Sequence, residues 1–218
     1  MKKAISGILA IILALTLCAG GSSVLAAGQK ANGTPIPGDQ AAVSDEAEDA
    51  IADSAWEELE SLGRIETENG LLYVFITLPA ELVGSDSTQK SIDANAGETY
   101  TSGKLNEDGS VTYKMTRKQH KEMLESVAES IEEAMEELVE SPDYAFTRIS
   151  HSDDFTVFDV YLSTEEIGFA ESFMVLGFYM YGGMYGLLLG HEADNIAVNY
   201  YSPGGNLIET ANSSEMGD

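Results

Sequence analysis

The chain has one cysteine, Cys18, in 218 residues, and this scarcity excludes a disulfide framework and a thiolate metal site. It also lacks an H-E-x-x-H pair, a G-x-S-x-G elbow, a phosphate-binding G-x-x-x-x-G-K-[ST] loop and a G-x-G-x-x-G turn. Without these patterns, the sequence predicts no catalytic residue, no metal ligand and no bound cofactor. We expect a domain that folds by apolar burial alone.

Basic residues are scarce as well. Eleven Lys and Arg stand against 37 Asp and Glu, which gives a formal net charge of −26. A field of this sign repels phosphate backbones, so nucleic acid is excluded as a partner.

The N-terminus has the pattern of an export signal. Lys2 and Lys3 precede an uncharged apolar run from Ala4 to Leu17, and Val24-x-Ala26 is a small-residue cleavage site. The run is shorter than the ~20 residues that span a bilayer. We therefore predict a signal peptide over residues 1–26 and a secreted, extracellular protein. Loss of the two lysines leaves nine basic against 37 acidic residues, a formal net charge of −28.

Cys18 supports an alternative location. Leu15-Thr16-Leu17-Cys18, followed by small residues, resembles a lipoprotein cleavage site, although Leu17 is larger than the residue usual before the cysteine. In that case Cys18 is the lipid-attachment residue, and the protein is tethered to the outer face of the cell membrane.

The rest of the chain predicts a tether and one domain. Residues 27–44 are rich in Gly, Ala, Asn and Pro and are expected to form a flexible linker, and residues 45–218 a single domain with its core from about residue 64. A helix is predicted over 45–62, where Asp45 and Glu48 resemble a capping box and Gly63 provides a stop. Its apolar stripe consists of Ile51, Ala55, Leu59 and Leu62.

Four β-hairpins are predicted from paired strand-like runs around turn residues. The first turn is Asn69-Gly70, a dipeptide typical of a two-residue type I′ turn. The paired runs are Arg64–Glu68 with Leu71–Leu78, Thr101–Asn106 with Ser110–Met115, Arg148–Ser150 with Phe155–Leu162, and Asn195–Tyr201 with Asn206–Thr210.

Two long helices are predicted between the hairpins. The first covers 117–140, with Thr116 and Gln119 as a capping box and Pro142 as the stop. The second covers 164–189, with Ser163 and Glu166 as its capping box, and its second half is almost entirely apolar. The predicted fold is α+β: four antiparallel hairpins form a sheet, two long helices pack on it, and an N-terminal helix precedes it.

The apolar stretch Phe173–Gly190 has 18 uncharged residues with glycines four apart, as in close helix packing within membranes. Its marginal length and the absence of a flanking basic cluster favour a buried core helix, so we expect no transmembrane span after the signal peptide. Its glycines imply tight packing, a break near Gly182-Gly183, or a cleft where a ligand meets bare backbone.

A cluster of cations is the best candidate binding site. Four basic residues within eight positions crowd the start of helix 117–140, although a helix N-terminus favours anions. The functional hypothesis is a small site for a carboxylate, a phosphate or an acidic cell-wall polymer, and the alternative is ion pairing within the molecule. The candidate anion-binding residues are Lys114, Arg117, Lys118 and Lys121.

Two polar turns are weaker candidates. Glu107-Asp108 and Asp153-Asp154 could ligate calcium but fit ordinary turn chemistry better. His151 could act as a general base oriented by Asp153 and Asp154, although a histidine in a polar turn is usually only solvated.

Several segments resemble an uncharacterised family of small exported proteins and lipoproteins of Gram-positive gut anaerobes, some of them labelled surface-antigen-like. The segments are 69–83, 108–124, Gly177–Tyr185 and 210–217. The resemblance implies export and frequent lipid anchoring, and it implies no activity, cofactor or catalytic residue.

These observations together predict an exported, non-catalytic binding or interaction protein at the cell envelope, with an unidentified envelope or extracellular partner. The alternatives are a lipid-anchored ligand-binding or accessory lipoprotein and a secreted hydrolase that uses scattered carboxylates.

Overall fold

The computed structural model describes residues 65–83, 87–191 and 193–216. The predicted signal peptide, Cys18, the linker 27–44 and the helix 45–62 lie outside the described residues.

The described chain is a mixed α and β fold, and all four predicted hairpins are confirmed. β1 pairs with β2, β3 with β4, β5 with β6 and β7 with β8, each pair antiparallel. The strands are β1 (Glu66–Asn69), β2 (Tyr73–Leu78), β3 (Ser102–Leu105), β4 (Val111–Thr116), β5 (Phe146–His151), β6 (Val157–Leu162), β7 (Ala197–Tyr201) and β8 (Leu207–Asn212).

The prediction of one sheet is wrong, because the hairpins form two four-stranded sheets. Sheet A has the order β1-β2-β4-β3, and sheet B has the order β5-β6-β7-β8. Strands β2 and β4 pair antiparallel, whereas β6 and β7 pair parallel. Turn residues specify pairing within a hairpin but not between hairpins, so the local patterns could not predict this arrangement.

The first turn also differs from the prediction. Asn69 is paired with Val74 as the last residue of β1, so the turn lies at 70–72 and β2 begins at Tyr73. The Asn69 side chain donates a hydrogen bond to Leu189 O at 3.1 Å, which holds the asparagine in the strand. A type I′ turn would require a positive φ at Gly70. Gly70 is not among the described residues with positive φ.

The described helices are α1 (Ala80–Val83), α2 (Gln89–Ala94), α3 (Arg117–Glu140), α4 (Phe169–Phe173) and α5 (Val175–Leu189), followed by a 3₁₀ turn over Ser213–Glu215. Helix α3 confirms the predicted bounds and the capping box of Thr116 with Gln119.

The predicted helix 164–189 is wrong in its start and its continuity. Ser163 donates its N–H to Ala145 O at 2.8 Å and so continues sheet B instead of capping a helix. Helix α4 begins after Gly168, which makes no side-chain cap. Met174 separates α4 from α5, so the break lies there and not at Gly182-Gly183.

Helices α3 and α5 join the two sheets into one core. Helix α3 contacts β2 and β4 of sheet A and β5 of sheet B, and α5 contacts α3, β1 and β7. By length and composition, the stretch Phe169–Leu189 could cross a membrane, the one such helix in the described residues. Here every residue from Met174 to Leu189 is buried or partly buried.

The glycines of α5 permit close packing against backbone. A Cβ on Gly182 would overlap Phe155 O, and one on Gly186 would lie 2.9 Å from His191 O. Gly190 ends the helix with φ +91°, a conformation that favours glycine. Of the three explanations for these glycines, the structure supports tight packing.

Candidate functional site

The β1–β2 turn exposes two large apolar side chains. Leu71 is 88% and Leu72 71% exposed, more than the other large apolar side chains of the described chain. Gly70 closes the turn with a hydrogen bond from its N–H to Tyr73 O at 2.9 Å. Both leucines lie outside β2, so no strand holds them against the core.

Arg117 connects this turn to helix α3. Its Nε donates to Leu71 O at 3.1 Å and its Nη2 to Gly70 O at 2.8 Å. These two bonds use two of the five N–H groups of a guanidinium, so the side chain keeps donor capacity toward an anion. The helix start thus places a fixed cation beside the exposed leucines.

The other three predicted cations lie at the same end of sheet A. Lys114 Nζ lies 3.8 Å from the centre of the Tyr73 ring, a cation–π contact. Lys118 pairs with Glu122 at 3.3 Å, and Lys121 with Glu125 at 3.2 Å. Both pairs place the lysine N-terminal to the glutamate, the weaker order on a helix, and both are largely exposed.

The structure therefore brings the four cations and the leucine pair to one end of sheet A. We call this surface the basic tip, which consists of Leu71, Leu72, Lys114, Arg117, Lys118 and Lys121. Each of the four cations has a contact within the molecule. For Lys118 and Lys121 that contact is an ion pair, which was the predicted alternative to anion binding. The anion-binding hypothesis stays a prediction.

Sequence reasoning missed the two leucines. Alternation with the buried Val74, Ile76 and Leu78 places Leu72 on the inner face if β2 continues to the turn. The strand instead starts at Tyr73, and alternation carries no signal for that start.

The acidic residues of the two polar turns accept hydrogen bonds from within the turns. Asp108 Oδ1 accepts from the Ser110 hydroxyl at 2.7 Å and from Ser110 N at 3.0 Å, and these bonds lower the pKa of the Asp108 carboxyl. Hydrogen bonds from Ser152 and Thr156 likewise lower the pKa of Asp154. This is the turn chemistry that the sequence favoured over calcium binding. In the described ranges, no group of three or more His, Cys, Asp or Glu side chains is placed to hold a metal ion.

His151 does not form the predicted arrangement with the neighbouring aspartates. Its ring stacks on Phe155 with centroids 4.2 Å apart, and Nδ1 contacts Ser152 O at 2.9 Å. Its Nε2 lies 3.6 Å from Oε1 of Glu132 on α3. The Asp154 carboxylate is engaged in the turn, so the geometry gives no support to a general base oriented by that residue.

His120 has a structural position at the helix interface. It is 8% exposed, and its Nε2 lies 2.8 Å from Leu188 O near the end of α5. This bond ties α3 to α5, and it places the ring away from the exposed face that carries Lys118 and Lys121.

A cavity of about 340 Å³ lies at the opposite end of sheet A from the basic tip. Acidic side chains on its wall raise the question of a catalytic carboxyl. A general acid needs a raised pKa, whereas the pKa of Asp108 is lowered, so Asp108 does not fit that role. The cavity is lined by Glu66, Thr77, Pro79, Ala80, Glu81, Asp108 and Ser110.

The outer face of sheet B carries a row of side chains across all four strands. Arg148 lies 3.7 Å from the Tyr161 ring centre, and Tyr161 stacks on Tyr201 at 4.8 Å. Leu207, paired with Tyr201 in the sheet, ends the row. The ring faces of Tyr161 are occupied by its neighbours, so this row stabilises strand pairing and offers no free platform there.

No protein-family model, curated protein or solved structure matches this chain.

Proposed function

We propose that this chain is an exported, non-catalytic binding protein of the cell envelope, and that the basic tip contacts an anionic partner through phosphate or carboxylate groups. The observation that carries the proposal is the exposed pair Leu71 and Leu72 beside four cations, on a chain of net charge −26.

Two physical arguments support this surface. Solvent-exposed apolar side chains that cluster together mark interaction sites more often than isolated ones do. Charges more than ~8 Å away are largely screened at physiological salt, so an approaching anion responds to the tip and its paired Glu122 and Glu125 more than to distant carboxylates. A partner with both apolar and anionic groups would fit the tip.

Charge reversal of the two most exposed cations tests the proposal. Lys118 and Lys121 have side chains 84% and 77% exposed, so their replacement leaves the core unchanged. With the double variant Lys118→Glu/Lys121→Glu, we expect binding to purified teichoic acid, an anionic wall polymer, to weaken at least about tenfold by isothermal titration calorimetry. The helix dipole favours an acidic residue at position 118, whereas both substitutions place like charges four residues apart, against Glu122 and Glu125, so the two effects partly offset each other.

The matched control is Lys90→Glu, which reverses an exposed cation on α2. It changes the net charge by half as much as the double variant, and we expect affinity within about twofold of the parent chain after allowance for this general charge effect. Equal losses per reversed charge in both variants would show that the total charge, and not the basic tip, governs binding.

The export proposal has its own test. We expect mass spectrometry of the protein from an exporting host to show a mature N-terminus at Ala27. A diacylated N-terminus at Cys18 would replace free secretion with the lipid-anchored alternative.

A further inference from the structure

We infer that the basic tip docks on an anionic phospholipid surface, with Leu71 and Leu72 inserted among the headgroups and the cations placed on the lipid phosphates. Docking on lipid rests on the proposed function, because the membrane is one particular anionic partner of the tip. Three features support it: two leucines that project from a turn, cations placed around them, and a charge gradient along helix α3.

The exposed leucines suit a bilayer interface. Leu71 and Leu72 are consecutive residues of the turn, 88% and 71% exposed, so they project from the end of sheet A instead of lining a groove. A soluble phosphate polymer has no apolar region that could cover them, whereas the boundary between headgroups and acyl chains accepts leucine side chains. The apolar part of the tip therefore favours a lipid surface over a soluble anion.

Arg117 holds the turn in one conformation beside a cation. Its guanidinium donates to the carbonyl oxygens of Gly70 and Leu71, so the leucines are presented with less of the entropy loss that ordering a free loop would require. The same two bonds satisfy backbone carbonyls of the turn, which lowers the cost of moving that backbone toward a less polar region. The remaining N–H groups of the guanidinium suit a lipid phosphate.

Lys114 and Tyr73 extend this surface onto the outer face of sheet A. Tyr73 begins β2 directly after the leucines, and Lys114 Nζ lies 3.8 Å from its ring centre. Tyrosine is enriched at membrane interfaces, because its ring suits the apolar side and its hydroxyl suits the wet side. Lys121 lies one helical turn after Arg117 on the same face of α3. Aliphatic, aromatic and cationic side chains thus meet at one end of the sheet.

Helix α3 leads from the tip toward the acidic part of the protein. It has 24 residues and is ~36 Å long, and its contacts with β2 and β4 show that it runs back across sheet A. The first two glutamates of α3 form the two ion pairs of the tip. The next one, Glu129, lies ~18 Å along the axis from Arg117, about twice the ~8 Å Debye length. A surface at the tip is therefore shielded from most of the net charge of −26.

Two further carboxylates limit the electrostatic part of binding. Glu68 lies opposite Phe75 in sheet A, and the backbone oxygen of Glu98 accepts a hydrogen bond from Gln119 in the first turn of α3. Cations alone therefore attract a membrane only weakly, and insertion of the leucines has to supply the rest. This balance predicts binding that requires both anionic lipid and the leucine pair.

Vesicle flotation tests the docking. The mature chain 27–218 is mixed with vesicles of phosphatidylglycerol and phosphatidylcholine in equal parts and, separately, with vesicles of phosphatidylcholine alone. We expect affinity for the anionic vesicles to be at least about tenfold higher and to fall in molar salt. A chain that binds teichoic acid but not anionic vesicles would overturn the lipid inference and keep the proposed function. Binding to neither would overturn both.

A single leucine substitution separates insertion from charge attraction. Leu71→Ser keeps every cation of the tip, so we expect affinity for the anionic vesicles to fall at least about fivefold and affinity for teichoic acid to stay within about twofold. The matched control is Leu207→Ser on sheet B, where the leucine is 56% exposed and vesicle affinity should not change. Equal losses in both variants would indicate nonspecific adsorption and overturn the inference.

A fluorophore at the turn measures the depth of insertion. An environment-sensitive dye is attached to Leu72→Cys in the mature chain, whose predicted form has no other cysteine. We expect its emission to shift to shorter wavelength on anionic vesicles and to be quenched by spin labels on the acyl chains, whereas the same dye at Leu207→Cys should show neither effect. Unchanged emission from Leu72→Cys on bound protein would place the leucines outside the bilayer and overturn the inference.

Discussion

Gly182→Ala is expected to destabilise the protein by about 3 kcal/mol, toward the upper part of the range for an overpacked core. The added methyl would overlap Phe155 O, a backbone atom that has no rotamer by which to move away. The Phe155 side chain is 1% exposed and its backbone has a φ of +57°, so both the packed side chain and the backbone conformation oppose a shift of this residue. Urea denaturation monitored by circular dichroism measures the change.

The neighbouring glycine provides the matched control. A Cβ on Gly183 would meet Ile196 Cδ1 at 3.9 Å, an ordinary contact, and alanine has a better helix propensity than glycine by up to ~1 kcal/mol. Gly183→Ala should therefore leave stability unchanged or raise it slightly. Equal losses in the two variants would mean that α5 does not pack on the β5–β6 turn as described.

Phe178→Ala is expected to lower the free energy of unfolding by about 3–5 kcal/mol, the usual range for truncating a buried phenylalanine. Phe178 is 0% exposed, and its ring lies 5.1 Å from Phe158 and 6.4 Å from Phe146 by centroid distance. These contacts join α5 to sheet B, so their loss weakens the centre of the core.

Phe173→Ala is the control within the same apolar stretch. Phe173 is 41% exposed at the end of α4, and its truncation should cost less than about 1 kcal/mol. This difference also tests whether Phe173–Gly190 is a core helix. A chain that unfolds only when detergent is removed, with equal effects of both substitutions, would identify a membrane helix instead.

Local signals predicted the local structure. Thr116, Gln119 and Pro142 predicted both ends of α3, because caps and a proline act through neighbouring backbone groups. Turn residues located the four hairpins, and Gly109 and Gly205 have the positive φ that such turns use. The expected cap at Ser163 failed because that residue bonds across the sheet to Ala145 O instead.

Features that depend on contacts between distant parts of the chain could not be predicted from the sequence. The parallel pairing of β6 with β7 depends on how α4 and α5 cross over the sheet, which no short pattern encodes. The site was predictable in part: spacing identified the cations, whereas the exposure of Leu71 depends on the residue at which β2 begins. The two leucines therefore required the structure.

The parallel pair has a consequence for the order of folding. Asp159 and Asn199, hydrogen bonded across β6 and β7, are 40 residues apart in the chain. Contacts of such separation are slow to form, because the intervening chain must lose entropy before the pairing stabilises it. Sheet B can be completed only after α5 and β7 have been synthesised, and the β2–β4 pairing of sheet A, in which Phe75 faces Lys114, has a similar separation. For the exported protein that we propose, sheet B would therefore be incomplete until β7 has left the translocation machinery.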